Sequence, residues 1–173
     1  MYKSLIIYSC VILAGIFYGN TQKSLDQLLK RYNTNEIPYI TVEQLQEVRN
    51  DAVLLDSREK EEYDISHIPK AISIGYDHFA LDSVTQKNFP KDATIIVYCS
   101  LGIRSEVIAK KLKEQGYTNV KNLYGGIFEW KNKHHKVVDS LNEATNNVHI
   151  FSKPWGKWLK EGNKYTSASK RIK

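Results

Sequence analysis

A chain of 173 residues has room for one ordinary domain with extensions. Its 42% hydrophobic and 25% charged residues, with three Trp, supply a real core and argue against a disordered class. The formal net charge of +6 favours anionic small molecules or surfaces in a general way. The basic residues are scattered, which speaks against nucleic acid, and the densest run, Lys170, Arg171 and Lys173, reads as a solvated tail.

In chain order, residues 1–21 read as an export signal or N-terminal anchor. Lys3 gives a positive start, and Leu5 to Tyr18 is apolar but too short for a comfortable membrane span. Cleavage after Thr21 would leave Gln22 as the new terminus. A lipoprotein box at Ile7-Tyr8-Ser9-Cys10 is set aside, because most of the apolar stretch follows Cys10. The expected location is the periplasm or cell envelope. Residues 22–38 read as a linker opening with a helix that carries a Leu25/Leu28/Leu29 face.

The domain is expected over residues 39–133. Thr41 with Gln44 resembles a capping box ahead of a Val42/Leu45/Val48 helical face. Asn50-Asp51 ends that helix. Ala52 to Leu55 reads as a buried parallel strand, Arg58 to Tyr63 as a charged helical turn, and Ala71 to Ile74 as a second strand. Thr94 to Tyr98 is the strongest strand signal. Ser105 to Gln115 is a helix with Val107, Ile108 and Leu112 on one side and Gly116 as its stop. Val120 to Leu123 is another strand, and Gly125-Gly126 turns into a helix containing Phe128 and Trp130. Strands alternating with helices predict an α/β fold with a mainly parallel central sheet. Residues 134–173 read as a polar C-terminal extension that Trp155, Trp158 and Leu159 clamp onto the domain; the alternative is a docking face for a protein partner.

The chemistry concentrates in Cys99-Ser100-Leu101-Gly102-Ile103-Arg104-Ser105. A cysteine at the end of a buried strand lies at the sheet edge where open α/β folds place their sites. The loop before the helix can turn its amides inward as an anion nest, with Gly102 taking a backbone angle that side chains resist. The helix dipole adds to that field. Such surroundings lower a thiol's pKa and populate the nucleophilic thiolate. If the signal is removed, Cys99 is the one cysteine left, so no internal disulfide can form. His78, His134, His135 and His149 show no metal-ligand spacing, and no metal is expected.

This loop resembles the active-site loop of the rhodanese-like sulfurtransferases, a Cys followed by Gly, Arg and Ser or Thr. Three further segments agree in order. Leu54-Leu55-Asp56-Ser57-Arg58 with Glu61-Glu62-Tyr63 resembles the early strand, Asp-x-Arg turn and helix. His67-Ile68-Pro69-Lys70-Ala71 resembles the family's H-I-P-G-A, with Lys70 replacing Gly. Leu123 to Trp130 resembles the closing Gly-Gly and Trp. The resemblance implies a rhodanese-like three-layer fold and a ping-pong reaction through a Cys99 persulfide, with no other cofactor. It implies a small-molecule sulfur donor, thiosulfate as a test-tube candidate, and a thiol or cyanide acceptor. Cys99 would be the nucleophile and the Ser100–Ser105 amides the cradle. Arg104 would shape the loop and hold an anionic donor. Asp56 and Arg58 would form a structural ion pair, and His67 would bridge the fold. Ser100 and Leu101 stand where good thiosulfate enzymes often carry basic residues, which weakens thiosulfate as the natural donor. A phosphatase or arsenate reductase of related fold needs one residue more between Cys and Arg. A carrier that holds sulfur for a partner is the non-enzymatic alternative.

Overall fold

The computed structural model describes residues 24–79, 82–85 and 87–166. The signal or anchor and the basic tail lie outside the described residues. The chain divides into two compact units, residues 1–34 and 35–173. In the first, residues 24–32 form helix α1, with Leu25 and Leu29 buried and the Asn33 amide donating to the Leu29 carbonyl at 2.8 Å.

The second unit is built on a five-stranded sheet in the order β1-β5-β4-β2-β3, parallel throughout. Its strands are β1 (Tyr39–Ile40), β2 (Val53–Asp56), β3 (Ile72–Ser73), β4 (Ile95–Tyr98) and β5 (Val120–Leu123). The helices are α2 (Val42–Val48), α3 (Lys60–Ile65), α4 (Asp82–Thr85), α5 (Arg104–Glu114) and α6 (Gly126–Asn132). This is the expected α/β fold with a parallel central sheet. β4 is central and fully buried, which is why it reads as an unbroken β-branched run rather than an alternation. Ile95 and Val97 of β4, Leu55 of β2 and Val120 of β5 form a core with Ile108, Ala109 and Leu112 of α5.

The local signals act as anticipated at several points. Thr41 caps α2 in a capping box with Gln44, and Gly116 ends the α5 segment at φ +88°. Three expectations need correction. β1 was not anticipated, because a strand of two residues leaves no periodicity. α3 starts at Lys60, since Glu59 caps it in a box with Glu62. Val107 is 40% exposed: the buried residues of α5 are Ser105, Glu106, Ile108, Ala109 and Leu112.

The extension is folded structure, including the stretch through Asn147 that reads as polar. It carries β6 (Val137–Val138), β7 (Ala144–Thr145), β8 (Asn147–His149), a 3-10 turn over Trp155–Trp158 and β9 (Asn163–Tyr165). β6 pairs antiparallel with β7 and bridges to His67, and β8 pairs in parallel with β9. Val137, Val148 and Leu159 are fully buried, and Asn132 of α6 donates to the Trp158 carbonyl at 2.9 Å. Leu159 provides the anticipated clamp, whereas Trp155 and Trp158 are only half-buried. Among the described residues no helix is long and apolar enough to cross a membrane.

Candidate active site

Cys99 follows the last residue of β4, and α5 begins at Arg104, so the intervening loop turns back over the end of the strand. Gly102 makes that turn at φ +107°. The Gly102 amide donates to Cys99 Sγ at 3.1 Å. The one proton on Ser105 Oγ has two acceptors within reach, Cys99 Sγ at 3.5 Å and Asn122 Oδ1 at 2.8 Å. Burial pushes the Cys99 thiol up, but the Arg104 charge, the Ser105 hydroxyl and the Ser105 and Gly102 amides outweigh it. The net shift is downward, toward thiolate.

The other loop residues have separate work. Leu101 is buried, and the Ile103 backbone precedes the first turn of α5. Ser100 Oγ accepts from Arg104 Nη2 at 3.2 Å, so the Ser100 side chain braces the loop. Arg104 is committed to Glu62, with Nη1 donating to Oε2 at 2.6 Å and Nη2 to Oε1 at 2.9 Å. This fork-on-fork pair is the strong form of an ion pair. Burial pushes the Glu62 carboxyl up, but His149 and the Arg104 guanidinium outweigh it and hold the carboxyl well below the usual carboxylate range.

Asp56 and Arg58 are wholly buried and joined at 2.6 Å, and Arg58 Nη2 also donates to the Ser66 carbonyl at 2.6 Å. They tie the end of β2 to the residue after α3. His67 exchanges backbone hydrogen bonds with Val138 and stacks its ring on Tyr63 at 3.7 Å. These three residues brace the fold.

Three further residues belong to the site that were not named among its residues. Glu62 comes from α3. Asn122 of β5 locks the cradle: its Nδ2 donates to the Gly102 carbonyl at 2.8 Å while its Oδ1 faces Ser105. Gly126, at φ +54°, lies so close to the loop that a Cβ there would fall 2.2 Å from the Cys99 carbonyl oxygen. The Ile127 and Phe128 amides donate to the Cys99 and Ser100 carbonyls at 2.9 and 3.2 Å. Gly125-Gly126 is thus a turn that presses the start of α6 against the cysteine loop. A reader of the sequence could have found Gly126 only by asking why two glycines open a helix. Among the described residues no cluster of three or more His, Cys, Asp or Glu could hold a metal ion.

Comparison with known proteins places this geometry. The family model described as Rhodanese-like domain matches residues 41–133. The adenylyltransferase and sulfurtransferase UBA4 of Meyerozyma guilliermondii is 37% identical over 97 residues, covering 53% of this chain and 23% of that protein. The chain therefore spans about a quarter of that relative. The thiosulfate sulfurtransferase GlpE of Coxiella burnetii is 34% identical over 92 residues, 53% of this chain and 82% of its own length. Among solved structures, a rhodanese-related protein of Thermoplasma volcanium superposes with a TM-score of 0.50 at 27% identity, covering 58% of this chain and 97% of that one. The matched segment holds the whole cysteine loop, α3 and the Gly-Gly turn, and on that ground the chain belongs to the rhodanese-like domain family.

Proposed function

We propose that this protein is a sulfurtransferase that carries sulfane sulfur on Cys99. The observation that carries the reading is the Gly102 amide aimed at Cys99 Sγ from 3.1 Å, in a loop whose charge and hydrogen bonds favour thiolate. In the first half-reaction the thiolate attacks the outer sulfur of a donor, a new S–S bond forms, and the donor's own bond to that sulfur breaks. In the second, an acceptor thiol or cyanide attacks the outer sulfur and Cys99 leaves as thiolate. The outer sulfur stands about 2 Å beyond Sγ, so it can meet the acceptor although Cys99 itself is buried.

The relatives named as sulfurtransferases support sulfur transfer in general. Four residues separate Cys99 from Arg104, a cradle sized for one sulfur rather than a tetrahedral oxyanion. Export remains a proposal from residues 1–21. The test is Cys99→Ser assayed with thiosulfate and cyanide: turnover should vanish, and substantial remaining turnover removes Cys99 from the mechanism.

A further inference from the structure

The Arg104 charge that favours the Cys99 thiolate is already matched by Glu62 through two hydrogen bonds. Ser100, Leu101, Gly102 and Ile103 add no positive charge. A small dianion therefore finds little uncommitted cationic charge in the loop.

The exposed side of Arg104 is instead covered by carbon. The Phe151 ring lies 4.8 Å from the guanidinium carbon, and the Tyr76 ring lies 6.0 Å from it. Phe151 belongs to the C-terminal extension. It is 53% exposed and sits at φ +61°, a left-handed conformation that is strained for a residue with a side chain. The turn is held by the Phe151 amide donating to His149 Nδ1 at 3.2 Å and the Ser152 amide donating to the Ile150 carbonyl at 2.6 Å. His149 is buried, with Nδ1 3.6 Å from Glu62 Oε1. The buried His149 thus brings the extension up to the carboxylate that grips Arg104, and the extension presents a strained, half-exposed aromatic ring beside Arg104. Strain kept at such a place points to use.

We propose that Phe151 is a specificity-determining residue, its ring receiving the apolar organic group of a sulfane-sulfur donor in preference to a small inorganic dianion. The inference rests on the sulfur-transfer reading of Cys99. The probe pair is thiosulfate and benzenethiosulfonate. In both, the Cys99 thiolate attacks the outer sulfur and the S–S bond breaks; sulfite leaves in the first case and benzenesulfinate in the second. Each forms the Cys99 persulfide anion, with charge conserved and no oxidant required. The two donors differ by a phenyl group in place of one charged oxygen.

Single-turnover loading of the full chain should favour benzenethiosulfonate. Phe151→Ala should shift the ratio of the two efficiencies about tenfold toward thiosulfate, through a higher KM for the aryl donor. Phe151→Leu, which keeps apolar bulk, should retain most of the preference and serves if the alanine variant does not fold. An equal change for both donors would mean a purely structural role, and no change would remove Phe151 from recognition; either overturns the inference while leaving sulfur transfer intact. Failure of wild type to take sulfur from either donor would sink the sulfur-transfer reading, and this inference with it.

Discussion

The tight approach of α6 to the cysteine loop predicts a large effect from one methyl group, Gly126→Ala. The new Cβ would lie 2.2 Å from the Cys99 carbonyl oxygen and 2.7 and 2.8 Å from the Ser100 carbonyl carbon and oxygen. A comfortable heavy-atom contact is about 3.5 Å, so loop and helix must separate by roughly 1 Å. All three obstructing atoms are backbone and cannot rotate away. Overpacking of this kind costs about 1–3 kcal/mol. The left-handed conformation at φ +54° costs alanine roughly a further 1–2 kcal/mol. Gly116→Ala is the internal control: its φ of +88° imposes the conformational cost, but nothing lies within 4 Å of its added Cβ. Urea unfolding should therefore show Gly126→Ala losing clearly more stability than Gly116→Ala. The Cys99 and Ser100 carbonyls would be pulled off the Ile127 and Phe128 amides, and a misplacement of about 1 Å can cost a hundredfold in rate. Alkylation of Cys99 and sulfur loading should slow in Gly126→Ala and stay normal in Gly116→Ala. Equal stability and equal thiol reactivity in the two variants would refute the claim that α6 positions the loop.

Glu62→Gln removes the charge that Arg104 is paired with while leaving the guanidinium largely buried, and breaking such a pair costs about 3–5 kcal/mol by urea unfolding. The Glu62 carboxyl is held below its ordinary value, so its contribution is complete above about pH 4.3 and is lost as pH falls through the folded value; Glu62→Gln should flatten that acid limb. The Cys99 thiol is also held low, so the pH profile of alkylation should have its midpoint below the ordinary thiol value of about 8.5. Between the lowered value and about 8.5 the unfolded chain binds more protons, so wild type should gain stability with rising pH, and Cys99→Ser should lack that gain. Inserting one residue between Gly102 and Arg104 should misalign a cradle donor worth about 3 kcal/mol, lowering sulfur loading roughly a hundredfold while phosphate binding, measured by calorimetry, rises.

What was legible in the sequence was what local physics decides. β2 and β4 announce themselves through apolar runs, α2 through its capping box, and the cysteine loop through a nucleophile, a glycine and a helix start within a few residues. Glu62, Asn122 and Gly126 were missed because each acts across the fold. The Glu62–Arg104 clamp joins residues 42 positions apart, and nothing near Glu62 marks it as more than one acidic residue among several. Asn122 reads as an ordinary polar residue in a strand until β5 is placed beside β4. Val107 was assigned to the buried side of α5 because helical spacing admits two neighbouring faces, and the core on the sheet takes Ile108, Ala109 and Leu112. The strands of the extension were not legible because each is two or three residues long, too short to leave a periodicity, and β6 and β8 are defined by their pairing with β7 and β9.

The central claim is that Cys99 carries the sulfur. Intact-mass measurement of the full chain after exposure to a sulfane-sulfur donor tests it most directly. The account predicts a species heavier by one sulfur atom, located at Cys99, that returns to the starting mass when cyanide or a thiol is added. No added sulfur with any donor, or an adduct that persists in Cys99→Ser, would contradict it.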